Sequence, residues 1–300
     1  MQRHALRFIR RLRESTIRSH YVERGYCLLR GVLPRGDVER LAEQARTLLP
    51  SYDGEFLRQN GRREVNDFFP GTRLIRNSPA NLHLGLTPDL QPACDALRTI
   101  VASPVLAERL QELDGAEHYH INQTLLFFAA QTTALHIDSW ALDTVPRGAA
   151  HTLWIPLQEL DQRSGIPAVV PWPVGKVVTE QELGLDANAP HGERYEQYHR
   201  ALSDKLLDGS PDLVAALAKP GDVVVWSCLT PHLTLPAQPF PKERLSVQVL
   251  LRPAHMNWGN FTVQPESYPA THVVRATDRF SYFVPREIHH EFGIGEVWDA

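Results

Sequence analysis

The chain has 300 residues, 43% of them hydrophobic and 22% charged, with a formal net charge of −4. That length supplies a sizeable core and the composition is that of an ordinary globular protein, so one catalytic domain over residues 1–300 is expected. The mild acidity argues against a general nucleic-acid binder, and no apolar run reaches the ~18 residues that a membrane span needs.

The first stretch is basic. Arg3, Arg7, Arg10, Arg11 and Arg13 precede the first acid, Glu14, while Ala5, Leu6, Phe8, Ile9 and Leu12 can share one helical face. A helix laid on the domain is the expectation. Residues 16–24 read as a helix and 26–32 as a strand. After Pro34 comes a second helix, whose Val38, Leu41, Ala42 and Ala45 keep helical spacing. These pieces make up an N-terminal part, 1–50.

Residues 51–88 are polar and rich in Gly and Pro, and they hold Arg58, Arg62, Arg63, Arg73 and Arg76. A long irregular stretch in a compact domain is often functional. The expectation is a lid that places Arg73 and Arg76 on an anionic group of a small-molecule substrate. Residues 89–113 read as helical, with Pro104 as a start or break. Residues 118–130 form a strand that carries His118, His120, Asn122 and Gln123.

The chemistry-bearing pattern starts next. His136 and Asp138 follow the apolar run Thr124-Leu125-Leu126-Phe127-Phe128. In extended chain, residues two apart share a face, so both side chains can meet one ion. The pairs His191/Glu193 and His289/Glu291 lack that strand context. A loop over 139–150 carries Trp140 and Asp143, and 151–160 reads as a strand with Thr152 and Trp154 on one face. An amphipathic helix over 193–207 interrupts the strands, as an insert at 192–208 in a core spanning 118–253. Pro220-Gly221-Asp222 then turns into the strand Val223-Val224-Val225-Trp226, which leads to His232. Arg244 and Ser246 begin another strand and share a face. Guanidinium binds carboxylate through a planar fork, with a hydroxyl as helper. The aromatic-rich tail within 254–300 is expected to be a terminal flap.

Two histidines and one carboxylate form the facial set that holds non-haem Fe(II) and leaves positions open. The ordered set His136-x-Asp138, His232 and Arg244-x-Ser246 resembles the phytanoyl-CoA dioxygenase-like branch of the Fe(II)/2-oxoglutarate-dependent dioxygenases. The resemblance runs over about 23–253 and includes Gly25-Tyr26-Cys27-Leu28-Leu29-Arg30-Gly31-Val32-Leu33-Pro34 and Thr152-Leu153-Trp154-Ile155-Pro156-Leu157. After Val170-Pro171 the sequence continues Trp172-Pro173, where family members often have Gly-Ser-His.

The resemblance implies a mainly β fold with flanking helices, a double-stranded β-helix of the jelly-roll, cupin-like kind. It implies Fe(II) on His136, Asp138 and His232, with O2 as oxidant and 2-oxoglutarate held at its far end by Arg244 and Ser246. Thr152 occupies a position that often helps hold this cosubstrate, and Asn122 or Gln123 can donate to it. Trp140 and Trp172 are substrate candidates. Hydroxylation of an unactivated C–H bond, with succinate and CO2 as coproducts, is the implied reaction. Halogenases of the class replace the acid, and here Asp138 keeps it. A cupin-like metal enzyme without 2-oxoglutarate and a catalytically silent binding protein are the rivals. Neither substrate nor oligomeric state is written in these residues. Cys27, Cys94 and Cys228 are widely spaced and form no CxxC, which fits free thiols in a reducing, cytoplasmic setting.

Overall fold

The computed structural model describes residues 17–186, 188–208, 212–259 and 273–292. The basic N-terminal stretch, expected to be a helix, and much of the C-terminal stretch, 260–272 and 293–300, lie outside them. Helix α1 covers 17–24. It stops at Gly25, which has φ +72° and leaves no room for a Cβ against the Trp172 carbonyl. Helix α2 (Arg35–Leu48) buries Val38, Leu41, Ala42 and Ala45. The helical stretch expected over 89–113 divides at Pro104, the expected start or break, into α3 (Gln91–Val101) and α4 (Pro104–Asp114), because Pro104 removes an amide donor and restarts the helix at its own N1. Helix α5 covers His191–Leu207.

Seven strands form the main sheet. In spatial order they are β1 (Tyr26–Leu29), β9 (Val223–Ser227), β6 (His151–Pro156), β11 (Glu243–Pro253), β4 (Tyr119–Ala129), β14 (Phe280–Phe283) and β13 (Val273–Arg275). Strand β6 ends at Pro156, short of the expected residue 160. The flap expected at the C-terminus is therefore partly sheet: β14 pairs in parallel with β4 and extends its edge. A smaller sheet runs β10 (His232–Thr234), β7 (Pro167–Val169) and β8 (Val214–Ala215). His136 joins it through a bridge to His232. Two short pairs complete the set, β12 (Asn257–Gly259) with β5 (Asp143–Val145), and β2 (Phe56–Leu57) with β3 (Arg63–Glu64).

The period of two along the strands separates two environments. Leu153 and Ile155 on β6, Val223 and Val225 on β9, and Leu245, Val247, Val249 and Leu251 on β11 join the buried cluster that also takes in α2, α3 and α4. Each such burial is worth roughly 1.5–3 kcal/mol. The alternate residues Trp154, Val224 and Trp226 pack with Ile166 and Val169 in a separate cluster between the two sheets. Two facing sheets with helices outside make a double-stranded β-helix, and its interior is where polar side chains collect.

Candidate active site

The bridge between His136 and His232 fixes the centre. Each backbone N–H donates to the other's carbonyl at 2.9 Å, and the rings lie 4.2 Å apart. Each Nδ1 sits next to a carbonyl two residues back, Ala134 O at 2.9 Å and Thr230 O at 3.0 Å. A proton on each Nδ1 makes those bonds and leaves the Nε2 lone pairs free, the tautomer a metal ligand needs. Asp138 faces both, with Oδ1 3.8 Å from His136 Nε2 and Oδ2 3.6 Å from His232 Nε2. The three donors lie within 4.8 Å of one another. Metal–ligand bonds near ~2 Å place neighbouring donors roughly 3–4 Å apart, so the set fits one ion.

The surroundings keep Asp138 and His232 in ligand form. Burial alone would raise the Asp138 carboxyl, but His232, His136, Thr152 and Trp226 more than offset it and the net direction is down. Thr152 Oγ1 donates to Asp138 Oδ2 at 2.6 Å and Trp226 Nε1 at 3.1 Å. Burial pulls His232 down to about 4 against the opposing pull of Asp138, which leaves a neutral imidazole at neutral pH.

A cavity of about 360 Å³ contains the three residues and continues to Arg244. Arg244 is 3% exposed. Its Nη1 donates to the Gly165 carbonyl at 2.7 Å and its guanidinium lies 5.3 Å from the centre of the Phe127 ring. Burial lowers it to about 10, and no carboxylate pairs with it among the described residues. Arg244 Nε and the fully buried Ser246 Oγ have no hydrogen-bond partner. A buried cation with an idle donor is the environment a ligand carboxylate completes; Ser246, two residues on along β11, does not itself line this cavity. Gly165 has φ +68° and no space for a Cβ against Ala130, so only glycine presents that carbonyl to Arg244.

The remaining sequence candidates sort differently. Thr152 donates its hydroxyl to Asp138 and so positions that carboxylate. Asn122 and Gln123 line a neighbouring cavity, not the one holding the triad. Arg73 and Arg76 are not at the site: Arg73 donates to Pro50 O and Ser51 Oγ, and Arg76 pairs with Asp67 at 2.5 Å. Local acceptors satisfied these exposed arginines before any ligand was needed. Trp140 is packed against Tyr195, Tyr198 and His199 under α5. Trp172 donates from Nε1 to Lys176 O at 2.7 Å and has the Lys176 ammonium over its ring. Both tryptophans are core pieces.

Sequence reading missed Gln248, Phe127 and Trp226, which line the triad cavity with Gln59, Gln131 and Thr234. Gln248 was within reach, since it lies two residues beyond Ser246 on the same face of β11. Gln59 and Gln131 sit in irregular chain with no period to reveal them. His118 and His120 stay outside the site, with His118 Nε2 2.9 Å from Ser281 Oγ. Cys228 is buried and donates to Asp143 at 3.2 Å, in keeping with a packing role.

A jelly roll carrying a two-histidine, one-carboxylate set next to an unpaired buried arginine defines the class of non-haem iron enzymes that use a keto-acid cosubstrate. The family model for phytanoyl-CoA dioxygenase (PhyH) matches residues 21–238, and the chain belongs to that family. It is thus an oxidoreductase of the Fe(II)- and 2-oxoglutarate-dependent kind.

Solved structures share the fold at low identity. An EctD structure from S. alaskensis with bound Fe is 19% identical over 89% of this chain and 86% of its own, with a TM-score of 0.56. The α-ketoglutarate-dependent epimerase SnoN of nogalamycin biosynthesis is 20% identical over 82% and 84%, with a TM-score of 0.54. The carbocyclase SnoK of the same biosynthesis is 18% identical over 81% and 83%, with a TM-score of 0.53. No curated protein matches the chain in sequence.

Proposed function

We propose that this protein hydroxylates an unactivated C–H bond of a small molecule, with His136, Asp138 and His232 as the iron ligands and Arg244 with Ser246 as the anchor for the far carboxylate of 2-oxoglutarate. The observation that carries the reading is the Arg244 guanidinium, buried without an acid beside a complete triad. His136, Asp138 and His232 would hold Fe(II), which with 2-oxoglutarate and O2 would supply the oxidising power, succinate and CO2 being the coproducts.

The chain's own groups bind, orient and exclude water. Thr152 and Trp226 hold the Asp138 carboxylate ionised and aimed. The Ala134 and Thr230 carbonyls fix the imidazole tautomers. Gly165 O and the Phe127 ring align the guanidinium, leaving Nε for the cosubstrate. Phe127, Trp154, Trp226 and Pro167 supply the apolar part of a wall that also presents Gln59, Gln131, Thr234 and Gln248.

The test is Fe(II)-dependent succinate formation from 2-oxoglutarate that a substrate stimulates, with the product analysed by mass. Gain of one oxygen supports hydroxylation. A product of unchanged mass replaces it with an epimerisation, the reaction named for SnoN. Turnover without succinate favours a metal enzyme that uses no 2-oxoglutarate, and iron-loaded protein that consumes no O2 favours a silent binding protein.

A further inference from the structure

A second cavity, of about 390 Å³, adjoins the metal cavity. Gln59 lines both. Its floor residue Leu250 pairs in register with Gln123 on β4 and with Thr152 on β6, the same Thr152 that bonds Asp138. The two cavities are thus successive steps along the inner face of β11, with Arg244 and Gln248 in one and Leu250 in the other.

Its wall holds an unusual group. The register jumps from Leu250↔Gln123 to Leu251↔Ile121, so Asn122 is the extra residue of a β-bulge. Bulges next to active sites re-aim a side chain. Asn122 is 8% exposed, and neither its Nδ2 nor its Oδ1 has a partner. The protein supplies this carboxamide with neither a donor nor an acceptor, so water in the free cavity and a ligand in the occupied one would have to supply both.

We infer that this cavity is the substrate subsite, that it takes a neutral polyhydroxylated small molecule, and that Asn122 is the residue that selects it. The inference rests on the dioxygenase reading and gives it a substrate class. The lining holds no carboxylate, and of its carboxamides Asn60 is bonded to Glu64 and the Arg62 amide and Asn81 accepts from the Thr124 amide, which leaves Gln59, Asn122 and Gln123 to meet a ligand. A hydroxyl both donates and accepts, and a carboxamide offers both partners. An ammonium substrate would be buried without a counter-charge, and a fatty chain would strand the Asn122 carboxamide.

The arginines of the wall do not turn it into an anion site. Arg58 spends both terminal nitrogens on the carbonyls of Asn77, Glu64 and Val65 and keeps only Nε unpaired, so it has no planar fork left for an anion, and the fatty-acid probes below test that directly. Arg286 has interactions of its own. Trp258 in the wall matches the apolar face of a sugar-like ring. A site that hydrogen-bonds substrate hydroxyls rejects analogues lacking them by large factors.

The experiment is anaerobic calorimetry on protein loaded with Fe(II) and 2-oxoglutarate. The probes are three sets of similar size: methyl glycosides and cyclitols, alkylamines, and short fatty acids. The expected result is binding confined to the hydroxylated set. In Asn122→Leu that affinity falls tenfold or more, 2-oxoglutarate affinity is unchanged, and the Tm of the unliganded protein is equal or higher because an unpaired polar group has gone. Binding of amines or fatty acids in place of the hydroxylated set overturns the inference, as does absence of binding by all three. So does an Asn122→Leu protein that binds like wild type, or one that loses several degrees of Tm, which would show the carboxamide holding structure. If wild-type protein fails to take up 2-oxoglutarate at all, the dioxygenase reading falls and this inference with it; with 2-oxoglutarate bound, only the substrate assignment is at stake.

Discussion

Replacing Arg244 with methionine separates two roles that a buried cation can play. The residue is 3% exposed, donates once to Gly165 O and leaves Nε idle. A structural arginine would be missed on removal. This one has no acid to strand, and the flexible, apolar methionine fills a similar volume. The unliganded variant should therefore keep its Tm or gain a few degrees.

Its effect on 2-oxoglutarate should be the opposite. Losing one partner of a buried, hydrogen-bonded charge pair costs roughly 2–5 kcal/mol. At about 1.4 kcal/mol per tenfold, that weakens binding between about thirty-fold and several thousand-fold. Iron affinity should be unchanged, since Arg244 is not a ligand. Anaerobic calorimetry reads both constants, and differential scanning calorimetry reads the Tm. An Arg244→Met protein that binds 2-oxoglutarate as tightly as wild type refutes the reasoning, and one that unfolds makes Arg244 a structural residue.

Thr152→Val should keep the fold and lower Fe(II) affinity by about ten- to a hundred-fold, the usual cost of losing a ligand's hydrogen-bond partner, measured by competition with a chelator. Arg73→Ala and Arg76→Ala should leave substrate KM within twofold of wild type, because both guanidinium groups are satisfied away from the cavity; a tenfold rise in steady-state assays would restore the lid. His83 is fully buried, with burial first and Arg98 second pulling it down to about 3 from its ordinary 6.5. The unfolded chain therefore takes up a proton below pH 6.5 that the folded chain refuses, and stability should fall with pH by about 3 kcal/mol at pH 4. Urea titrations of His83→Phe should show that slope flattened between pH 6.5 and 4, and an unchanged slope counts against it.

The metal triad was legible because its parts lie where extended chain announces itself. His136 and Asp138 are two apart after an apolar run, and His232 follows the β-branched strand β9. That Arg244 and Ser246 share the inner face of one strand was legible by the same period of two. The errors share one cause. Arg73, Arg76, Trp140 and Trp172 were assigned by residue type in irregular chain, where no periodicity says which way a side chain points. Local partners decided each: Asp67 for Arg76, Ser51 for Arg73, Lys176 for Trp172, and the rings of α5 for Trp140. Asn122 lies on a strand, yet its direction depends on a bulge that only the pairing with β11 creates. The parallel docking of β14 on β4 likewise joins segments far apart in sequence, and no local pattern reports it.

The central claim is that His136, Asp138 and His232 hold an iron that a keto acid then chelates, with Arg244 at the far end of that acid. Anaerobic visible absorption spectroscopy tests it most directly, because ferrous iron chelated by a 2-oxo acid has a metal-to-ligand charge-transfer band. Titration with Fe(II) and then 2-oxoglutarate should raise that band with one equivalent of each. Asp138→Ala should abolish it, and Arg244→Met should demand far more 2-oxoglutarate to reach it. Absence of the band in wild-type protein at saturating iron and 2-oxoglutarate, or an undiminished band in Asp138→Ala, would contradict the account.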